Sequence, residues 1–151
     1  MKAEEQEVRR PTSTEGVVFI LYKDGRFMVV ENRKPGSGFF GKVFFPGGEI
    51  EEQESADQAV KREVQEELGV TTTAAVFLDT FEDVTLNGGY HVFHAFLVLD
   101  YEGEVTNKEP QKGNIYWVSL DEARQILKLV SSRHPLNLAE VYINEAGQKK
   151  G

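Results

Sequence analysis

FPGGEIEEQESADQAVKREVQEELGV, residues 45–70, decides the reading of this chain. Its first half, through Glu54, is a loop opened by Pro46 and the Gly47-Gly48 pair, where a backbone can turn sharply and approach a ligand closely. Its second half reads as a helix. Ser55 is a good N-cap, Gln58 completes a capping box, and Asp57 lies in the first turn, where the helix dipole favours an anion. Gly69 is well placed as the stop. Ala56, Val60, Val64 and Leu68 recur every four residues as an apolar stripe for the core. Glu63, Glu66 and Glu67 project together from a neighbouring face. Like charges this close cost a helix a few tenths of a kcal/mol per pair, roughly. Only Arg62 stands beside them, which points to a compensating cation. Hard divalent ions take carboxylate oxygens and are shared with substrate phosphates. For these residues alone, a solvated acidic helix face is the plain alternative.

The whole spacing argues against that alternative. Gly48 is followed by five residues, Glu54, seven residues, and then Arg62-Glu63-Val64-Gln65-Glu66-Glu67-Leu68-Gly69-Val70. This pattern resembles the signature of the Nudix hydrolases at every specified position. The resemblance implies a single-domain α/β/α sandwich around a mixed sheet. It implies hydrolysis of a nucleoside diphosphate linked to another moiety, with Mg²⁺ or Mn²⁺. Glu63, Glu66 and Glu67 match the metal-binding carboxylates, with the Gly47 carbonyl as a further ligand. Arg62 and Glu54 would form an ion pair that ties loop to helix and orients the cluster. One departure is Gln53, where many members have glycine.

Outside the signature the resemblance rests on shorter matches. Residues 101–113 are similar to a loop of the MutT-type enzymes, and Glu109 falls at its carboxylate, a metal ligand or general base; Glu102 and Glu104 are rivals. Arg33 matches a substrate-binding arginine. Asn137 matches an asparagine that reads an oxidised purine, although a local capping role is the competing reading. Phe39, Phe40, Phe44 and Phe45 flank Gly41-Lys42. One of them, Phe44, is a candidate to stack on a base, while core packing accounts for others.

The chain has 151 residues and 17.0 kDa, enough for one domain with a sizeable core. Seventeen basic against 25 acidic residues give −8, which speaks against a nucleic-acid or anionic-membrane surface. The same charge would repel a polyphosphate unless metal ions screened the site. Without cysteine, no disulfide or thiolate site is possible. The first ten residues are too charged for a signal peptide, and the apolar run at 92–99 is short and broken by His94. A cytoplasmic location is the expectation.

In chain order, residues 1–14 read as a flexible tail, 15–146 as the domain and 147–151 as a second tail. Strands are expected at 16–22 and 26–32 around the hairpin turn Asp24-Gly25. Further strands are expected at 71–84 and from 90 to 101, around a turn at 87–89, and at 114–118. Ser119 with Glu122 starts a short helix to about 129, and 135–145 forms a last helix. His91 and His94 lie three apart on a strand and face opposite ways, so they cannot form one metal pair; His134 is expected in solvent.

A carboxylate cluster beside a glycine loop suits metal-assisted attack of water on a phosphoanhydride. The leading expectation is a nucleoside triphosphate pyrophosphohydrolase, oxidised nucleotides included. Hydrolysis of ADP-sugars or dinucleoside polyphosphates is a rival within the same chemistry, and a non-catalytic nucleotide sensor is a rival outside it. A small nucleotide is the expected partner, and a homodimer stays open.

Overall fold

The computed structural model describes residues 13–84 and 89–150. Seven strands form one sheet: β1 (Ser13–Lys23), β2 (Arg26–Asn32), β3 (Val43–Phe44), β4 (Gly47–Glu49), β5 (Thr71–Val84), β6 (Tyr90–Glu102) and β7 (Gly113–Val118). The helices are α1 (Ala56–Leu68), α2 (Leu120–Ile126) and α3 (Val130–Lys150). The order is β3-β2-β1-β6-β5, with β4 paired to β1 and β7 to β2. β1 and β6 run parallel and the other strand pairs antiparallel, so the sheet is mixed.

β1 explains the layering. Residues 17–21 are apolar without alternation because both faces of this central strand are covered. Val17, Phe19 and Leu21 pack with Ala59, Val60, Val64 and Leu68 of α1. Val18 and Ile20 pack with Ala123, Leu127, Leu136 and Ala139 on the opposite side. One helix on one face and two on the other make the α/β/α sandwich. Phe19, Ile20 and Leu21 are fully buried, each worth about 1.5–3 kcal/mol of transfer free energy.

Asp24-Gly25 forms the expected tight turn, both residues with positive φ (54° and 78°). Of the expected first tail, Ser13 and Thr14 belong to β1, and residues 1–12 lie outside the described residues, as does most of the turn at 87–89. The last helix corrects the sequence reading at both ends. It starts at Val130 rather than 135 and continues to Lys150, through Gly147, where a free tail was expected; residue 151 lies outside the described residues. A residue before proline disfavours helix. Here tertiary contacts hold the turn before Pro135: the Ser132 hydroxyl accepts the Phe45 N–H (3.0 Å), and His134 bonds Asp79 (2.8 Å). Beyond Pro135 the sequence is made of ordinary helix formers, and a glycine near the end costs only about 1 kcal/mol. Among the described residues no helix is long and apolar enough to cross a membrane.

Candidate active site

The site begins where β4 is pressed between β1 and α1. Pro46 accepts the Phe19 N–H (3.0 Å), and Gly47 pairs with Val18. A Cβ on Gly47 would lie 2.1 Å from the Val17 carbonyl oxygen, and one on Gly48 would lie 1.8 Å from Glu63 Oε2. Only glycine lets the loop and the carboxylate come this close. The helix behind is fixed locally: Ser55 and Gln58 exchange both capping-box bonds, and Gly69 closes it at φ 73°. Gln53, in the loop, holds φ 63°, the left-handed region that glycine tolerates better.

Arg62 ties the pieces together. Its Nε and Nη2 donate to the two Glu54 oxygens (2.7 and 3.0 Å), and Nη2 also donates to the Glu49 carbonyl (2.9 Å). Nη1 reaches Glu63 (3.2 Å) and Glu66 (3.3 Å). Hydrogen bonding to Arg62 holds the Glu54 carboxyl below its ordinary range, and the bond to Glu54 raises Arg62 in turn. A bidentate fork of this kind is geometry that lysine cannot supply.

Glu67 is the unusual group. Its Oε2 is buried without a hydrogen-bond partner among the described residues. Burial pushes its carboxyl up to about 9; a hydrogen bond to Glu63 and the negative charges of Glu63 and Glu109 add to this, and Lys112 opposes it. Glu109 arrives from the β6–β7 loop, which is pinned to the end of α1. Thr106 N–H donates to the Leu68 carbonyl (3.0 Å) and Lys108 N–H to that of Glu67 (2.9 Å). Asn107 clamps the loop, accepting from Glu109 N–H (3.0 Å) and donating to the Gly113 carbonyl (2.8 Å).

Gly47, Gly48, Glu49, Glu63, Glu67, Glu109 and Phe44 all line one cleft of about 360 Å³. Glu54 and Arg62 stand behind it. Glu66 is turned onto Arg62 and does not line it, nor do Glu102 and Glu104. Among the described residues no three acidic or histidine side chains converge closely enough to cage an ion by themselves. Glu66 is drawn away by Arg62, and Glu63 also accepts from that guanidinium. The donor set nevertheless fits a hard divalent cation: all oxygen, net acidic, with one buried oxygen lacking a partner.

Two expected substrate contacts lie elsewhere. Arg33 packs its guanidinium over Phe40 (4.8 Å) beside Glu31, and the adjacent Asn32 lines the cleft instead. Asn137 lines a separate pocket with Arg124, Arg133 and Leu136. Because α3 starts at Val130, Asn137 lies well inside the helix on its exposed face, while Ser132, Leu136 and Ala139 turn inward. It is neither a cap nor a cleft residue. His134 is not simply solvated: it pairs with Asp79 and meets Phe81 edge-on. His94 bonds Thr80 and Glu15, His91 bonds Thr14, and none of the three lines the cleft. Sequence reasoning missed Asn32, Asn107 and Lys112. Their only signal was position beside a strand end or in the charged loop.

Comparison with known proteins bears on the family and the fold. A family model described as NUDIX domain matches residues 12–138. The chain is 31% identical over 132 residues to the CTP pyrophosphohydrolase of Escherichia coli K12, covering 87% of this chain and 89% of that protein. It is 33% identical over 103 residues to the 8-oxo-dGTP diphosphatase of the same organism, covering 68% and 78%. A MutT NUDIX hydrolase from Burkholderia pseudomallei superposes with a TM-score of 0.75 at 26% identity, over 84% of this chain and 98% of that one.

Proposed function

The chain belongs to the NUDIX domain family and is a Nudix hydrolase, and from that premise we propose that it cleaves nucleoside triphosphates to a monophosphate and pyrophosphate, using Mg²⁺ or Mn²⁺. The observation that carries this reading is the buried, unpartnered Glu67 oxygen beside Glu63 and the Gly47-Gly48 loop. Glu63, Glu67 and the Gly47 carbonyl would hold the metal, and Glu66 would join after leaving Arg62. When bound, a divalent cation polarises phosphoryl oxygens and offsets charge on the leaving group.

The chain's own residues supply the rest. Arg62 and Glu54 keep Glu63 aimed at the cleft and Glu67 in register one turn on. Gly47 and Gly48 let the Glu63 carboxylate lie directly against the loop backbone, at the wall of the cleft that takes the phosphate chain. Water attacks a phosphorus, its oxygen forms the new P–O bond, the anhydride P–O bond breaks and pyrophosphate leaves. Glu109, which faces the cleft and is not bound by Arg62, takes the water's proton. Phe44, on the cleft wall, offers a ring face to the nucleoside.

The test is a product-resolved panel with Mg²⁺: CTP, ordinary purine triphosphates, 8-oxo-dGTP, ADP-ribose and a dinucleoside polyphosphate, with Glu67→Gln beside the native protein. Cleavage of a triphosphate to monophosphate and pyrophosphate, lost in the variant, is the expected result. Preferred cleavage of ADP-ribose or a dinucleotide would overturn the triphosphate assignment. Binding without turnover of any substrate would overturn the reaction.

A further inference from the structure

We propose that Lys112 is the side chain that binds the substrate's phosphate chain, exchanging its carboxylate partner for a phosphate when metal and nucleotide enter; this rests on the phosphohydrolase reading above. Among the described residues that line the cleft, Lys112 is the one cation, set against Glu49, Glu63, Glu67 and Glu109. Three basic residues that neighbour cleft residues in sequence do not line it. Arg62 is consumed by its own carboxylates. Arg33 stacks on Phe40, outside the cleft. Lys108 lies along Gly69, at the end of α1.

The backbone of Lys112 is held firmly while its ammonium is not. Its N–H donates to the Glu109 carbonyl (3.0 Å), and its own carbonyl accepts from Arg33 N–H (2.9 Å). The Asn107 clamp fixes the loop on both sides of it. The side chain is 60% exposed, and its Nζ is 3.3 Å from Glu109 Oε1. An exposed pair of this kind is worth about 0–1 kcal/mol, so a phosphate can displace it at little cost. A doubly charged phosphate held near metal ions is the stronger partner.

The experiment measures Mg²⁺-pyrophosphate binding by calorimetry and steady-state kinetics on the substrate that the panel identifies, for the full chain, Lys112→Met, Lys112→Arg and Glu109→Gln. Pyrophosphate binding reads Lys112 even if no nucleotide is cleaved, so failure of the hydrolase reading is seen separately. Loss of one charge-assisted contact should weaken pyrophosphate binding and raise KM by about 10- to 100-fold in Lys112→Met. Lys112→Arg should restore most of that, with kcat little changed. Two results would overturn the proposal. One is unchanged pyrophosphate affinity in Lys112→Met. The other is a fall in kcat alone that copies Glu109→Gln, which would make Lys112 a positioning residue for that carboxylate. The exposed side chain can be replaced without disturbing the core, and Lys112→Gln serves as a second neutral variant.

Discussion

Arg62 and Glu67 carry the site's electrostatics in opposite ways. Arg62 answers several carboxylates with one planar fork, so its shape matters as much as its charge. Arg62→Lys should lower kcat by about 10- to 100-fold, the usual effect of losing a group that orients metal ligands, with Mg²⁺ affinity falling alongside. Steady-state kinetics over a Mg²⁺ titration checks this, and near-native activity would show that charge alone suffices. Glu67 instead is a carboxyl that burial and Glu63 keep protonated without metal, with its pKa pushed from 4.5 to about 9. Below pH 4.5 both folded and unfolded chains hold this proton, so no stability is lost. Between there and about 9 the unfolded chain releases a proton that the metal-free fold retains. Stability therefore falls as pH rises, by at most about 1.4 kcal/mol per unit. A metal ion takes the proton's place, so Mg²⁺ should raise the thermal midpoint more at pH 8 than at pH 5. In Glu67→Gln the metal-free pH dependence should flatten. Equal Mg²⁺ shifts at the two pH values would contradict this account.

At the scale of elements, α1 was legible because its signals are local. Ser55, Gln58 and Gly69 are read within a few residues of the bonds they make, and the structure shows each of those bonds. Ser55→Ala should cost about 1 kcal/mol in chemical denaturation while leaving kcat within a small factor, since Arg62 and the cleft are untouched. Gln53 is the converse case. Its positive φ costs a non-glycine residue about 1–2 kcal/mol, and glycine's extra freedom in the unfolded chain offsets roughly 0.5–1 kcal/mol of the relief. Gln53→Gly should therefore leave stability equal or slightly higher; a clear loss would mean that the Gln53 side chain itself matters. The β6–β7 loop was less legible. Glu109 could be matched by resemblance, but Asn107 bonds Gly113 and Thr106 bonds Leu68, and neither partner is implied by the residues alongside. Asn137 was misplaced for the same reason. The start of α3 is set by Ser132 on Phe45 and His134 on Asp79, contacts far apart in sequence.

Across the whole molecule, the strands could be read singly but their order could not. That β1 sits between β2 and β6, parallel to the latter, depends on pairing residues about 77 apart, such as Ser13 with Tyr90, and no local pattern encodes it. Net charge, by contrast, needs no fold to be read, and it has a kinetic consequence. A chain at −8 meets a magnesium-bound triphosphate that is itself anionic, so long-range forces oppose encounter. The Debye length shrinks from about 30 Å at 0.01 M salt to about 10 Å at 0.1 M. Added salt should thus screen the repulsion outside the cleft while leaving contacts inside it largely intact. At fixed free Mg²⁺, kcat/KM should rise on the order of two- to fivefold between 10 and 150 mM NaCl, the reverse of the usual decline for an enzyme that steers its substrate. Lys112→Met, with one positive charge fewer at the cleft, should steepen the rise. Rapid kinetics at low substrate decides the matter. A fall in kcat/KM over this range would mean that Lys112, the one cation lining the cleft among the described residues, outweighs the charge of the chain as a whole.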